Sequence, residues 1–330
     1  MTTEAERSGG ALVVSLDLEL AWGAREGGDA WGRRLERASE TIRRILDLFE
    51  QREIHATWAC VGLMFARDVD DARRFAPRLR PSYREAGLSA YDMLDRGQPD
   101  AAPGCYFAPE LIATIAARPN QEIGTQTFSW YHCNEPGQTA AQFDADLAAA
   151  VAIAERSGVQ LRSLVFPRDQ CNREYLPILA RHGISAYRSR RPGWAYAPST
   201  SKLLATVRRG LCLADNFSLL IPDAALSRER ILAVRPGQPV DIPASRHLRP
   251  YDPRFRELEP LRGHRMQFEM TTCADRGQIY HLWMRPLELA DHIHENLVAL
   301  DNLLRNARAL ANRVGFPSLT MSELASAALP

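Results

Sequence analysis

The feature that most constrains this chain is the return, again and again, of short apolar runs followed by segments whose apolar residues fall at helical spacing. The run ALVVSLDL at 11–18, after a Gly-Gly break, predicts a buried strand that ends where the carboxylates Asp17 and Glu19 appear. Between Arg33 and Gln51 the apolar positions Leu35, Ile42, Ile45, Leu46 and Phe49 have helical spacing. HATWACVGL at 55–63 then predicts a second strand. The same rhythm predicts helices at 110–117, 140–157, 173–182 and 291–311, with strands at 122–127, 163–166, 185–187 and 278–283. Such alternation predicts an α/β fold, a mostly parallel sheet or barrel wrapped by helices.

Two stretches break the rhythm, residues 67–109 and 190–275, the second rich in Pro and Arg. They are expected to be loop-rich elaborations of a single domain spanning 1–330, lying over the rim where parallel α/β folds place their chemistry. With 45% hydrophobic and 25% charged residues the chain can bury a core, and neither a disordered nor a fibrous class fits. A formal charge of +1 provides no overall field for nucleic acid or an anionic membrane, so neither is expected as a partner. The opening MTTEAERSGG has no basic start leading into an apolar stretch, and no run of eighteen apolar residues occurs, so a cytoplasmic location is expected. Six cysteines without a CxxC pair disfavour a zinc–thiolate cluster and a disulfide framework.

In an extended segment Asp17 and Glu19 point to the same face, because side chains alternate with period two. Two neighbouring carboxylates repel, so one pKa rises unless a cation stands between them; general bases and metal ligands are commonly built this way. The alternative is one salt-bridged strand end and one solvated carboxylate.

The segments SLDLELAWG, TWACVG, EIGTQTFSWYHCNE, SLVFPRDQCNREYLPILARHGISAYR and GQIYHLWMRPLEL follow one another along most of the chain. In order and spacing they resemble the polysaccharide deacetylase (NodB-homology, carbohydrate esterase family four-like) superfamily. The closest pattern is that of a bacterial branch with S-F-D-x-E-L-x-W-G, E-I-G-S-H-T-F-S-H-Y, F-P-R-N-Q and F-H-L-W-x-H-P-H. The resemblance implies a distorted (β/α)7 barrel. It also implies removal of acetyl groups from N-acetylated sugars with a divalent metal, usually zinc, held by a carboxylate and two histidines, a second carboxylate acting as base.

At the places of the two histidines stand Gln126 and Trp130. An amide offers only a weak neutral oxygen and an indole has no lone pair, so no metal or other cofactor is expected. His132 would restore coordination only if the loop were rebuilt. Arg285 and Leu287 replace the histidines of the H-P-H pattern, whereas His281 is kept; the resemblance makes it a candidate general acid, with a core histidine as the structural alternative. By the same resemblance Arg168 pairs with and orients Asp17, and Asp169 adds a further acid. Trp22, Trp130, Tyr131 and Trp283 are expected to line a mouth that stacks on a flat ligand, and Arg246 and Arg249 to meet a carboxylate or phosphate on the substrate.

The catalytic set expected is therefore Asp17, Glu19, Arg168 and His281, with Trp22, Gln126, Trp130, Tyr131, His132, Asp169, Trp283, Arg285 and Arg246 towards the substrate. The function this suggests is metal-independent acid/base chemistry, whether hydrolysis, elimination or cyclisation, on a glycoside, sugar-derived or specialised-metabolite substrate in a bacterial biosynthetic pathway. A metal-dependent N-deacetylase and a catalytically silent binding protein are the alternatives.

Overall fold

All eight residues of β1 (Ala11–Leu18) are buried, because this strand sits in the middle of the sheet with a parallel neighbour on each side. The structure is a computed structural model, which describes residues 9–23, 29–85, 87–97, 102–193, 202–217, 226–227, 231 and 237–327. On one side of β1 follow β2 (Ala56–Cys60), β3 (Gln121–Thr125), β4 (Ser163–Val165), β5 (Ala186–Arg188) and β7 (Val240–Asp241), all parallel; on the other side lies β9 (Gln278–Met284). The short β6 (Leu226–Ser227) joins β9 antiparallel, β8 (Arg246–His247) joins it in parallel, and β10 (Ser318–Leu319) is parallel to the start of β1.

The barrel closes through residues 240–248. Val240, Ile242 and Ala244 donate their backbone N–H groups to the carbonyls of Ser185, Tyr187 and Ser189, beside β5; Ser245 and Leu248 then donate to His281 and Trp283 of β9. Read as one broken strand, β7 and β8 are thus the seventh stave of a distorted (β/α)7 barrel.

Alternation along β1 divides the core in two. Leu12, Val14, Leu16 and Leu18 face the surrounding helices, among them Ala38–Arg52, Ala140–Arg156 and Ile293–Val314. Ala11 and Val13 face the barrel interior with Ala59, Val165, Ala186, Ile242 and Ile279. Helix Met321–Ser326 plugs the entry end with Met321, Leu324 and Ala325, tied to β2 by a bond from the Met321 N–H to Thr57 Oγ1. Ser15 and Asp17 continue the inward series, so the interior turns polar towards the ends of the strands.

The predicted helix 33–51 is two helices, Asp29–Glu36 and Ala38–Arg52, broken at Arg37. The larger difference is in 190–275, expected to be loop-rich. Its described part supplies the closing stave, helix Lys202–Ala214 and the 17-residue helix Glu259–Asp275; residues 194–201, 218–225, 228–230 and 232–236 lie outside the described residues. The second helix hides from periodicity because its buried face carries Arg262, Arg265 and Glu269 among Met266, Met270 and Cys273. These charges are matched in the interior. Asp215 receives Arg246 at 2.8 Å, Arg265 at 2.9 Å and Arg191 at 3.3 Å, and Glu269 takes Arg246, Arg265 and the Tyr280 hydroxyl. In the stretch 67–109, helices Val69–Phe75 and Tyr91–Arg96 are formed. Among the described residues no helix is long and apolar enough to cross a membrane.

Candidate active site

The exit ends of β1, β3, β4, β5 and β9 bring Asp17, Glu19, Gln126, Arg168, Asp169, Arg188 and Arg285 to one end of the barrel. The backbone there is unusual. Leu20 (φ 47°), Thr127 (φ 65°), Trp130 (φ 60°), Arg168 (φ 54°) and Asp169 (φ 52°) are all left-handed without being glycine, which costs on the order of 1 kcal/mol each. Non-glycine strain of this kind concentrates where geometry serves function.

Asp17 is paired by Arg188, the last residue of β5. Nη2 donates to Oδ2 at 2.8 Å, Nη1 stands 2.8 Å from Oδ1, and both side chains are buried. Arg168 was the arginine expected there. Its guanidinium lies instead over the Trp130 ring, 5.6 Å from the centroid, because the left-handed turn at Arg168 and Asp169 carries it away from β1. Arg188 ends a strand that faces β1 across the barrel, and a strand end holds a side chain more firmly than a loop.

His281 is bonded into the barrel wall through both ring nitrogens. Its Nδ1–H donates to the Ile242 carbonyl at 3.1 Å, its backbone N–H donates to Ser245 Oγ at 3.0 Å, and its Nε2 accepts from the Ser15 hydroxyl at 2.8 Å. Fully buried, it has its pKa pushed down to about 3 by desolvation first and then by the Arg188 charge. Ser15 in turn accepts from Arg188 Nη1 at 3.0 Å. The expected acid thus positions, through Ser15, the arginine that holds Asp17.

Glu19 lies at the exit of β1, buried, with no cation within 4.0 Å among the described residues. Its pKa is raised from 4.5 to about 7. Burial is the main cause; Arg285 lowers it, Asp17 raises it, and the Trp130 indole and Arg188 lower it. Room for the carboxylate is made by Gly23, where a Cβ would come within 1.9 Å of Glu19 Oε2. Arg285 lies 3.9 Å from Asp17 and 3.5 Å from Glu288, its side chain one-third exposed. Asp169 faces Arg188 at 3.8 Å and Arg190 at 3.9 Å. Trp283 underlies both cations, with Arg188 at 4.5 Å and Arg285 at 5.9 Å from its ring.

The residues at the metal positions of the resemblance are bonded to each other. Trp130 Nε1–H donates to Gln126 Oε1 at 3.3 Å, and Gln126 Nε2 donates to the Ala59 carbonyl at 3.1 Å. The amide oxygen thus already accepts the indole N–H, the indole nitrogen has no lone pair, and Asp17 has a guanidinium as its cation. This donor set does not fit a divalent metal. His132 does not restore one: it is buried edge-on against Trp130 at 4.9 Å, and among the described residues no three His, Cys, Asp or Glu side chains are grouped to hold an ion.

Other residues expected at the mouth are buried. Trp22 is 1% exposed, its indole bonded to the Tyr106 carbonyl; Tyr131 is buried with its hydroxyl on Gln138 and Thr139; Arg246 belongs to the interior charge network. Sequence reasoning missed Arg188, whose one signal is an arginine ending an apolar strand in SAYRSR. It also missed Asp146. That buried carboxylate accepts the N–H groups of Phe128 and Ser129 and the hydroxyls of Ser129 and Tyr91, which fixes the loop carrying Trp130.

No protein-family model matches the chain, and no curated protein matches it by sequence. Solved structures do. A protein from Mycobacterium smegmatis assigned as a polysaccharide deacetylase superposes with a TM-score of 0.59 at 14% identity, covering 99% of this chain and 92% of the other. One from Pseudomonas aeruginosa PAO1, likewise assigned, gives 0.56 at 12% over 97% and 90%. The Puue allantoinase gives 0.55 at 12% over 97% and 90%. The chain has the polysaccharide-deacetylase type of fold.

Proposed function

We propose that this chain is a bacterial enzyme carrying out metal-independent acid/base chemistry on a small polar, sugar-derived substrate of a biosynthetic pathway. Glu19 transfers the proton, the Asp17–Arg188 pair is a fixed electrostatic frame, and Arg285 faces the negative charge that develops on the substrate. The observation that carries this reading is Glu19 itself: a buried carboxylate beside a partly exposed guanidinium, titrating near neutrality. A group of that kind is present in both protonation states at pH 7, the condition for efficient transfer in either direction. In a hydrolysis it takes a proton from the attacking water and returns it to the leaving group, so its own state is unchanged over the cycle. A preorganised guanidinium stabilises an oxyanion most where water is excluded. Fold neighbours named for a polysaccharide and for allantoin support a polar, hydrogen-bonding substrate.

The substrate is sought among small molecules that co-purify with the chain. The expected result is a rate with an apparent pKa near 7 that Glu19→Gln abolishes and that a chelator leaves unchanged. Full activity in Glu19→Gln removes the reading. The bonded Gln126–Trp130 pair also favours a second reading, a silent binding protein, for which ligand is retained and never converted.

A further inference from the structure

We infer that a cleft of about 640 Å³ beside the candidate active site binds a phosphate-type oxyanion through Arg33, Arg37 and Arg249. The cleft lies between helix Asp29–Glu36, the segment after β8 and the start of the helix at Ile293, and four carboxylates also line it. Each of the four is already engaged. Asp291 holds Arg34 at 2.6 Å, Asp252 holds Arg254 at 2.6 Å, Glu259 holds Arg262, and Glu288 holds His247 at 3.4 Å and Arg285 at 3.5 Å. Arg33, Arg37 and Arg249 are exposed and have no carboxylate within 4.0 Å among the described residues. Arg33 on helix Asp29–Glu36 and Arg37 at the break that follows it line the same cleft. Arg249 is set close to a further guanidinium: burial disfavours the charged form of Arg262, Glu259 opposes this, and Arg249 adds to it. Arginines that line one cleft and have no carboxylate partner among the described residues supply the N–H forks that bind a phosphate.

Glu288 both lines the cleft and contacts Arg285, which places the anion one side chain from the proposed chemistry. The binding site itself does not depend on that chemistry. The shared ligand chemistry is a tetrahedral oxyanion, free or as the phosphate of a phosphorylated sugar.

Isothermal titration of the full chain with inorganic pyrophosphate tests it. Saturable binding is expected, weakening as salt rises, with a loss of about tenfold for each of Arg37→Gln and Arg249→Gln. Both side chains are exposed, and an unchanged melting temperature checks that the variants are folded. Tighter binding of glucose 1-phosphate than of inorganic phosphate identifies the site as one for a substrate's phosphate; equal binding identifies a site for the free ion. Asp17→Asn and Glu19→Gln are expected to keep pyrophosphate binding while losing turnover, which separates failure of this site from failure of the catalytic reading. No saturable binding by the unaltered chain, or binding unmoved in Arg37→Gln and Arg249→Gln, overturns the inference.

Discussion

Arg188 meets Asp17 with both ends of its guanidinium, 2.8 Å on each side, across the interior of the barrel from β5 to β1. The same guanidinium donates to Ser15 and lies 4.5 Å over Trp283, so one side chain joins three strands at the layer where the apolar interior becomes the site. A buried pair of this kind is worth little against an apolar pair of equal volume, yet costs much when half of it is removed. In the proposed reading it holds geometry.

Arg188→Met leaves the Asp17 charge buried without its partner and is expected to cost about 3–5 kcal/mol in urea denaturation. Asp17→Asn in the same chain should return at least about 1 kcal/mol of that loss. Strict additivity of the two changes would mean that they do not act as a pair.

The Glu19 pKa of about 7 makes stability depend on pH in a defined direction. The folded protein binds this proton more tightly than the unfolded chain, so the contribution is complete below pH 4.5 and is lost as pH rises through 7. Up to about 3 kcal/mol is at stake. Glu19→Gln should remove the slope between pH 5 and 8 and leave the variant the more stable one at pH 8. Denaturation curves at these two values decide it; parallel loss in both proteins contradicts the assignment.

His281 acts in the opposite sense. Its folded pKa of about 3 lies below the ordinary 6.5, so its contribution is complete above 6.5 and is lost as pH falls towards 3. His281→Ala also opens the bonds to Ile242 and Ser15 and is expected to cost about 2–4 kcal/mol at pH 7, with a smaller further loss on acidification than the unaltered protein shows. Melting temperatures from pH 7 to pH 4 provide the check.

Gly23→Ala tests the room left for Glu19. The backbone at Gly23 (φ −85°) accepts alanine without strain, but the added Cβ falls 1.9 Å from Glu19 Oε2 and 2.8 Å from its Cβ, so a loss of about 1–3 kcal/mol is expected. The new methyl occupies the place of the carboxylate, and the pH-dependent step near 7 should vanish or move. An unchanged titration, followed by the carboxyl NMR signal of Glu19, would show that the side chain sits elsewhere.

Much of this protein is determined by its sequence alone, because the signals are local. β1 begins and ends where the apolar run and its carboxylates predict, and the helix predicted over 140–157 is formed over Ala140–Arg156 behind a Thr139 capping box. Even the presence of Gln126 and Trp130, where the resemblance places an imidazole pair, is a matter of residue identity in one short segment. What only the tertiary structure decided is which distant partners meet. Arg188 ends a strand, Arg168 follows one, and both carry the charge that Asp17 needs; the choice between them rests on a contact spanning 171 positions and on a left-handed turn that carries Arg168 away. His281 became a rivet only when residues 240–248 closed the barrel against it, and helix Glu259–Asp275 stays hidden in the sequence because its buried charges are satisfied by Asp215 and Arg246 from other elements. Periodicity records which face of an element is buried. It carries no information on which charges, brought together from far apart in the chain, neutralise one another in the interior.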